Sequence, residues 1–235
     1  MGVFDMFLSE DKLISKRQRT LTSLDSTPED REMAAFWLSE NASPKALTAL
    51  LSRFDMNLTH QLNDRDEKEK VYSLLVSHGD KVERSLRSWL KQCKQFAIPL
   101  RLFGELQGRE QAIQMVMDLL RIEHEKDDFK PKKKTELLVW LAGVRHEQCI
   151  EVASLFLTDF DEGVRLTATE VILAQQDDGA RDHLMAILKN PDEESNRLKI
   201  KVAETFVSRG WSVDDDDLPG LAAGFEKAGS RIRAV

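Results

Sequence analysis

The sequence is poor in the residues that punctuate β-structure. Of 235 residues, 11 are glycine and 6 are proline, and Tyr72 is the single tyrosine. A sandwich or barrel needs frequent Gly/Pro turns and alternating strands, and the chain reads as neither. Cysteine is almost absent. Cys93 and Cys149 lie far apart in helical patterns, without metal or redox spacing, and read as two buried thiols in a reducing compartment. No apolar run approaches the roughly 18 residues of a membrane span. The opening stretch MGVFDMFLSEDKL lacks the basic start of a secretory signal, and Asp5, Glu10 and Asp11 break its apolar residues. Met6 stands where a myristoylation pattern needs Ser or Thr. The expected location is therefore the cytoplasm. A basic excess is missing too: the net charge is −7, which disfavours bulk binding to phosphate backbones.

What is present is helical. Hydrophobic residues make up 41% and charged residues 32%. The charged share exceeds the ~25% of ordinary domains, which suits a shape with much surface per residue. A phrase recurs in which a small or polar start leads into an apolar run ending in leucine. Its ends fall at Leu51, Leu90, Leu120, Leu157 and Leu188, 30 to 39 residues apart. Between them lie second helices such as DREMAAFWLSEN, KKKTELLVWLAGV and SNRLKIKVAETFVSRG. Their apolar stripes are wide, so each needs neighbours on two sides. Ser26-Thr27-Pro28-Glu29 is a helix start, Asn190-Pro191 a stop and restart, and Gly79, Gly108, Gly179 and Gly210 fall at helix boundaries. Short links make consecutive helices antiparallel.

The stretch FLTDFDEGVRLTATEVILAQQDDGARDHLMAIL resembles a HEAT repeat, with Asp159 and Asp161 in the turn and Val164-Arg165 opening the second helix. Arg31, followed by Ala34, Ala35 and Leu38, is similar, and Arg197-Leu198 is a further match. The resemblance implies an all-α fold: an α-solenoid of about six antiparallel helix pairs over residues 27–210. An N-terminal capping helix is expected within 1–25, with Phe4, Phe7 and Leu8 on one stripe. An acidic segment and a short helix to about Lys227 are expected within 211–235. The whole is read as one domain. Basic residues at Arg31, Arg65, Arg101, Lys133, Arg165 and Arg197 stand 32 to 36 residues apart, a spacing that suits a ladder between repeats.

Two enzyme families share the HEAT-like fold. Deoxyhypusine hydroxylases hold two irons through four His-Glu pairs. This chain has two such pairs, His124-Glu125 and His146-Glu147, and their spacing of 22 residues is not one repeat. Alkylpurine DNA glycosylases cradle DNA on a basic face with aromatics. Trp37, Trp89, Trp140 and Trp211 and the cluster Lys130, Lys132, Lys133 and Lys134 offer those residue types, but Trp37 and Trp140 sit inside apolar runs that read as core. No HExxH, catalytic triad or phosphate loop is present. The polar stretch Asn57–Gln61 reads as part of a bent or extended helix, or as a polar contact site. The expectation is a non-enzymatic scaffold with no cofactor, metal site or small-molecule substrate. It would bind another protein, through an acidic or helical segment, on a concave face of parallel second helices. The candidate binding residues are Arg65, Arg101, Lys133, Lys134, Trp140 and Arg165.

Overall fold

The computed structural model describes residues 9–126, 131–213 and 217–235. Among them are twelve α-helices and one two-stranded ribbon, so the fold is all-α in its body. Contacts divide the chain into two compact units, residues 1–114 and 115–235.

The first unit holds α1 (Glu10–Leu21), α2 (Pro28–Asn41), α3 (Pro44–Leu51), α4 (Gln61–Ser77), α5 (Glu83–Leu90) and α6 (Ala97–Gln107), with the start of α7 (Arg109–Glu125). The expected starts are used. Thr27 accepts a hydrogen bond from the Asp30 amide with Pro28 behind it, and Ser43 caps α3 in the same way through Ala46, with Pro44 behind it. Helix α2 packs on α1 and α3, α3 on α5, and α4 on α2 and α6. The core between them is aliphatic, built from residues such as Ala34, Leu38, Leu47, Leu50, Leu75 and Leu86. Cross-links from α2 to α4 advance in the same direction, Arg31 to Glu67, Glu32 to Lys70 and Ser39 to His78, so these two second helices run parallel.

The second unit holds the end of α7, α8 (Pro131–Ala142), α9 (Cys149–Ser154), α10 (Glu162–Ala174), α11 (Ala180–Lys189) and α12 (Asn196–Arg209). Helix α10 packs on α8, α9 and α11, and α11 packs on α12. Asp161 caps α10 through the Val164 amide, and Ser195 caps α12 through Leu198. Gly210 closes α12 in the left-handed region at φ 63°, where a glycine carries no Cβ penalty.

Three expectations change. The short C-terminal helix is instead a hairpin of β1 (Phe225–Ala228) and β2 (Arg231–Ala234), which packs on α12. Gly229 at φ 61° starts the two-residue turn, a Gly-X link whose twist suits antiparallel strands. The stretch before α4 is not helical throughout. A 3-10 turn at Ser52–Asp55 is followed by extended backbone, and His60 then caps α4 by accepting from the Asn63 amide. Trp37 and Trp140 are half-buried rather than core. Phe4, Phe7, Leu8 and Lys130 lie outside the described residues.

Candidate binding groove

The basic residues singled out by their spacing are distributed over both units, and most are bound to acids. Arg165, the fourth residue of α10, sends Nε and Nη2 to the two carboxylate oxygens of Glu193 at 3.0 and 2.9 Å. Its Nη1 donates to the carbonyls of Asp159 and Phe160, in the turn before its own helix, at 2.8 and 3.0 Å. Glu193 is buried in the turn before α12 and also accepts the Ser195 amide. Lys134, the fourth residue of α8, reaches Asp159 in the turn before α10 at 2.7 Å. Each rung thus joins the start of one second helix to the turn that opens the next. Lys133 points elsewhere, to the buried Glu123 at 2.7 Å, which Lys126 also holds. Burial pushes the Glu123 carboxyl up, but those two lysines outweigh it and hold it below its ordinary range.

In the first unit Arg31, the fourth residue of α2, repeats the Arg165 arrangement. Nε and Nη2 grip Glu67 at 2.9 and 2.8 Å, and Nη1 donates to the carbonyls of Ser23 and Ser26 before its own helix. The fourth position of α4 is then inverted: it holds Asp64, and the cation comes from Arg53 in the 3-10 turn. Arg53 is fully buried and donates to Asp64, Glu67 and the Met56 carbonyl. Lys68 reaches Asp64 and Asn57, both at 2.8 Å. The polar stretch after the 3-10 turn therefore serves this knot, with Asn57 as a lysine acceptor. Burial raises both carboxyls, but hydrogen bonds from Lys68 and Arg53 hold Asp64, and those from Arg31 and Arg53 hold Glu67, below their ordinary values.

Arg101 grips both Glu69 oxygens at 2.9 and 2.8 Å and lies over the Tyr72 ring at 4.0 Å. Tyr72 donates to Glu105, and burial followed by that bond raises its pKa. Arg65 is exposed, with Asp66 at 3.8 Å. Trp140 is half-buried beside the exposed Val139. Of the six expected binding residues, Arg65 and Arg101 lie in the first unit and Lys133, Lys134, Trp140 and Arg165 in the second. Arg101, Lys133, Lys134 and Arg165 have intramolecular acids on their charges.

Of the His-Glu pairs, exposed His124 stacks edge-on against Phe156 at 5.6 Å. His146 sits at the turn before α9, where its amide donates to Gln175 and its Nδ1 accepts from Gln148. No group of three or more His, Cys, Asp or Glu able to hold a metal is present among the described residues. Both cysteines are free and buried, and burial raises the Cys149 pKa. No helix among the described residues is long and apolar enough to cross a membrane.

What sequence spacing did not single out is a groove of about 460 Å³ between α2 and α4 in the first unit. Leu21, Ala35, Val71 and Leu74 form its apolar surface, and Phe36 stands at its edge with 52% of its surface exposed. The Arg31–Glu67–Arg53 knot closes part of its wall, and the Glu32–Lys70 pair spans it at 2.8 Å. Ser73 and Ser77, also lining it, donate their hydroxyls to carbonyls of their own helix. The wall arginines have their nitrogens engaged, so the groove presents mainly apolar surface with few free polar groups. Met33 and Leu24 are also exposed, at 59% and 65%. The only cue in the sequence was Phe36 in AAFWL, which reads equally well as core.

Comparison with family models, curated proteins and solved structures finds no match to this chain.

Proposed function

We propose that this chain is a non-enzymatic protein-interaction scaffold of HEAT-like helix pairs, and that it holds a helical segment of a cytoplasmic partner in the groove between α2 and α4. The observation that carries the reading is the groove itself. Two parallel helices flank a largely apolar groove of about 460 Å³, and Phe36 stands exposed at its lip. Contiguous exposed apolar surface rimmed by polar residues marks interaction sites, and a helix laid between two helices is a common way to fill one. The HEAT-like part draws support from Arg31 and Arg165, which make the same bonds at the same helical position in different units. The N4-to-turn rungs Lys134–Asp159 and Arg165–Glu193 extend that regularity. An acidic partner segment, by contrast, loses its anchors, since the cations that would meet it already hold acids.

The test is titration of the full chain with an idealised 16-residue amphipathic helix carrying leucines on one face and glutamines on the other. Saturable binding tighter than about 1 mM is expected, near −4 kcal/mol. Hydrogen exchange should slow in α2 and α4, and Phe36→Gln, at the edge of the groove, should weaken both signals. The Phe36 side chain is about half exposed, so folding should survive. If neither this helix nor its lysine or glutamate versions binds, the reading is wrong.

A further inference from the structure

The charged groups lining the α2–α4 groove are paired with one another, Arg31 and Arg53 with Glu67 and Lys70 with Glu32, so the surface left for an occupant is apolar. The lining residues furthest along α2 and α4 are Phe36 and Ser77. Because the two helices run parallel, these residues mark one end of the groove. Asn41, the last residue of α2, lies five residues past Phe36, about 7.5 Å along the axis. Its side-chain amide donates to Glu10, the first residue of α1, at 2.9 Å. Lys45 in α3 holds Asp11 at 2.8 Å. The start of α1 is thus tied beside the end of α2. Allowing about 10 Å for the width of one helix, it stands about 13 Å from the Phe36 end of the groove. Eight residues precede Ser9, and they lie outside the described residues. Val3, Phe4, Met6, Phe7 and Leu8 among them are apolar, and Asp5 is the one charged side chain. Extended chain covers about 3.3 Å per residue, so Phe4, at five residues before Ser9, reaches about 17 Å.

Resting on the groove reading above, we infer that the chain's own residues 3–8 occupy this groove, with Phe4 beside Phe36, and that a partner helix must displace them. The contact is autoinhibitory. Length and point of attachment argue for this occupant: the segment is apolar, long enough, and held within reach by the Glu10 and Asp11 contacts. A second copy of the chain would have to be recruited from solution. A tethered segment instead meets the groove at an effective concentration in the millimolar range. Contacts too weak to hold a free peptide at lower concentrations therefore suffice to keep the groove filled most of the time.

Two measurements on the full chain test this. In the first, p-benzoylphenylalanine replaces Phe4 and the protein is irradiated. Attachment within one molecule to groove residues such as Phe36, Val71 or Leu74 is expected. Attachment elsewhere, or only between two molecules, overturns the inference. This readout needs no partner. Attachment at the groove combined with no binding of the leucine-faced helix would support the occupancy and sink the partner reading alone. In the second, the glutamine version of that helix is titrated into the wild-type chain and into Phe4→Gln/Phe7→Gln. The variant is expected to bind it about tenfold tighter, the relief for a groove closed in about nine molecules of ten. Without the helix, hydrogen exchange along α2 and α4 should be faster in the variant than in the wild type. Equal affinity of the two chains for the helix would mean that the segment does not compete, which overturns the inference while the groove remains.

Discussion

Arg31 and Arg165 make the same bonds, but the carboxylates they meet belong to different kinds of network. Around Arg165 the pairing is one cation to one acid, and each rung links two successive second helices. Around Arg31 three cations, Arg31, Arg53 and Lys68, share two carboxylates, Asp64 and Glu67. The origin of the difference is one residue: the fourth position of α4 is Asp64 rather than a base, met in part by Lys68 of the same helix and completed by a cation from outside it. Arg53 supplies it and is fully buried in doing so. The units also differ in net charge. Residues 1–114 hold 17 acidic and 17 basic side chains, so the whole −7 belongs to residues 115–235. A ladder can lose a rung locally, whereas a shared knot transmits the loss to every member.

The largest effect should therefore come from Arg53→Met. It leaves Asp64 and Glu67 short of a cation that water cannot replace, at a cost of about 3–5 kcal/mol. Hydrogen exchange in α3 and α4 under a urea series would measure it. A loss below about 1 kcal/mol would show that Lys68 and Arg31 can carry the knot alone, and the contrast between the two networks would collapse.

Arg165→Met removes one rung and should cost about 2 kcal/mol, read as faster exchange in α10 and α12. Glu193 keeps the Ser195 amide as a donor, which limits the damage. Arg165→Lys should recover only part of the loss, because a single ammonium cannot grip both Glu193 oxygens and cap two carbonyls at once. Full recovery would mean the charge alone matters and the fork geometry does not.

The helices were legible because their signals are local and redundant. The stretches singled out as first or second helices are wholly or largely helical, except HEQCIEVASLFL, where α9 covers only Cys149–Ser154; side-chain caps sit at Thr27, Ser43, Asp161 and Ser195. The ladder was legible in part. Arg31 and Arg165 carry it, but in α8 the rung is Lys134, not Lys133, because Pro131 starts that helix and Lys134 is its fourth residue. Exposed Arg65 and Arg197 are not at the fourth position of their helices. Arg53 was missed because it sits in a 3-10 turn and its acids stand 11 and 14 residues further on. The hairpin was missed because four-residue strands around one glycine give a period-2 signal too short to weigh against helix. The groove could not be read at all: whether Phe36 faces core or solvent depends on how far apart α2 and α4 stand, and no local pattern encodes that.

The smallest effect, and one that separates the two units, is that of acid. Asp64 and Glu67 in the first unit and Glu123 in the second have folded pKa values below their ordinary ones. A depressed carboxyl contributes stability above its unfolded pKa and loses it as pH falls through the folded value. Between pH 7 and 5 all three stay ionised in both states, so stability should hardly change on their account. Below about pH 4.5, the ordinary glutamate range, the unfolded chain begins to take up protons that the folded carboxyls refuse. The first unit has two coupled carboxyls in one knot and the second has one, so exchange in α4 should accelerate at a higher pH than exchange in α7 and α8. Glu67→Gln tests the cause. It removes one titrating member, so it should weaken α4 at pH 7 and flatten its further loss between pH 4.5 and 3. If α7 and α8 open first in acid, or if the substitution leaves the slope in α4 unchanged, the shared knot is not what makes the first unit acid-sensitive.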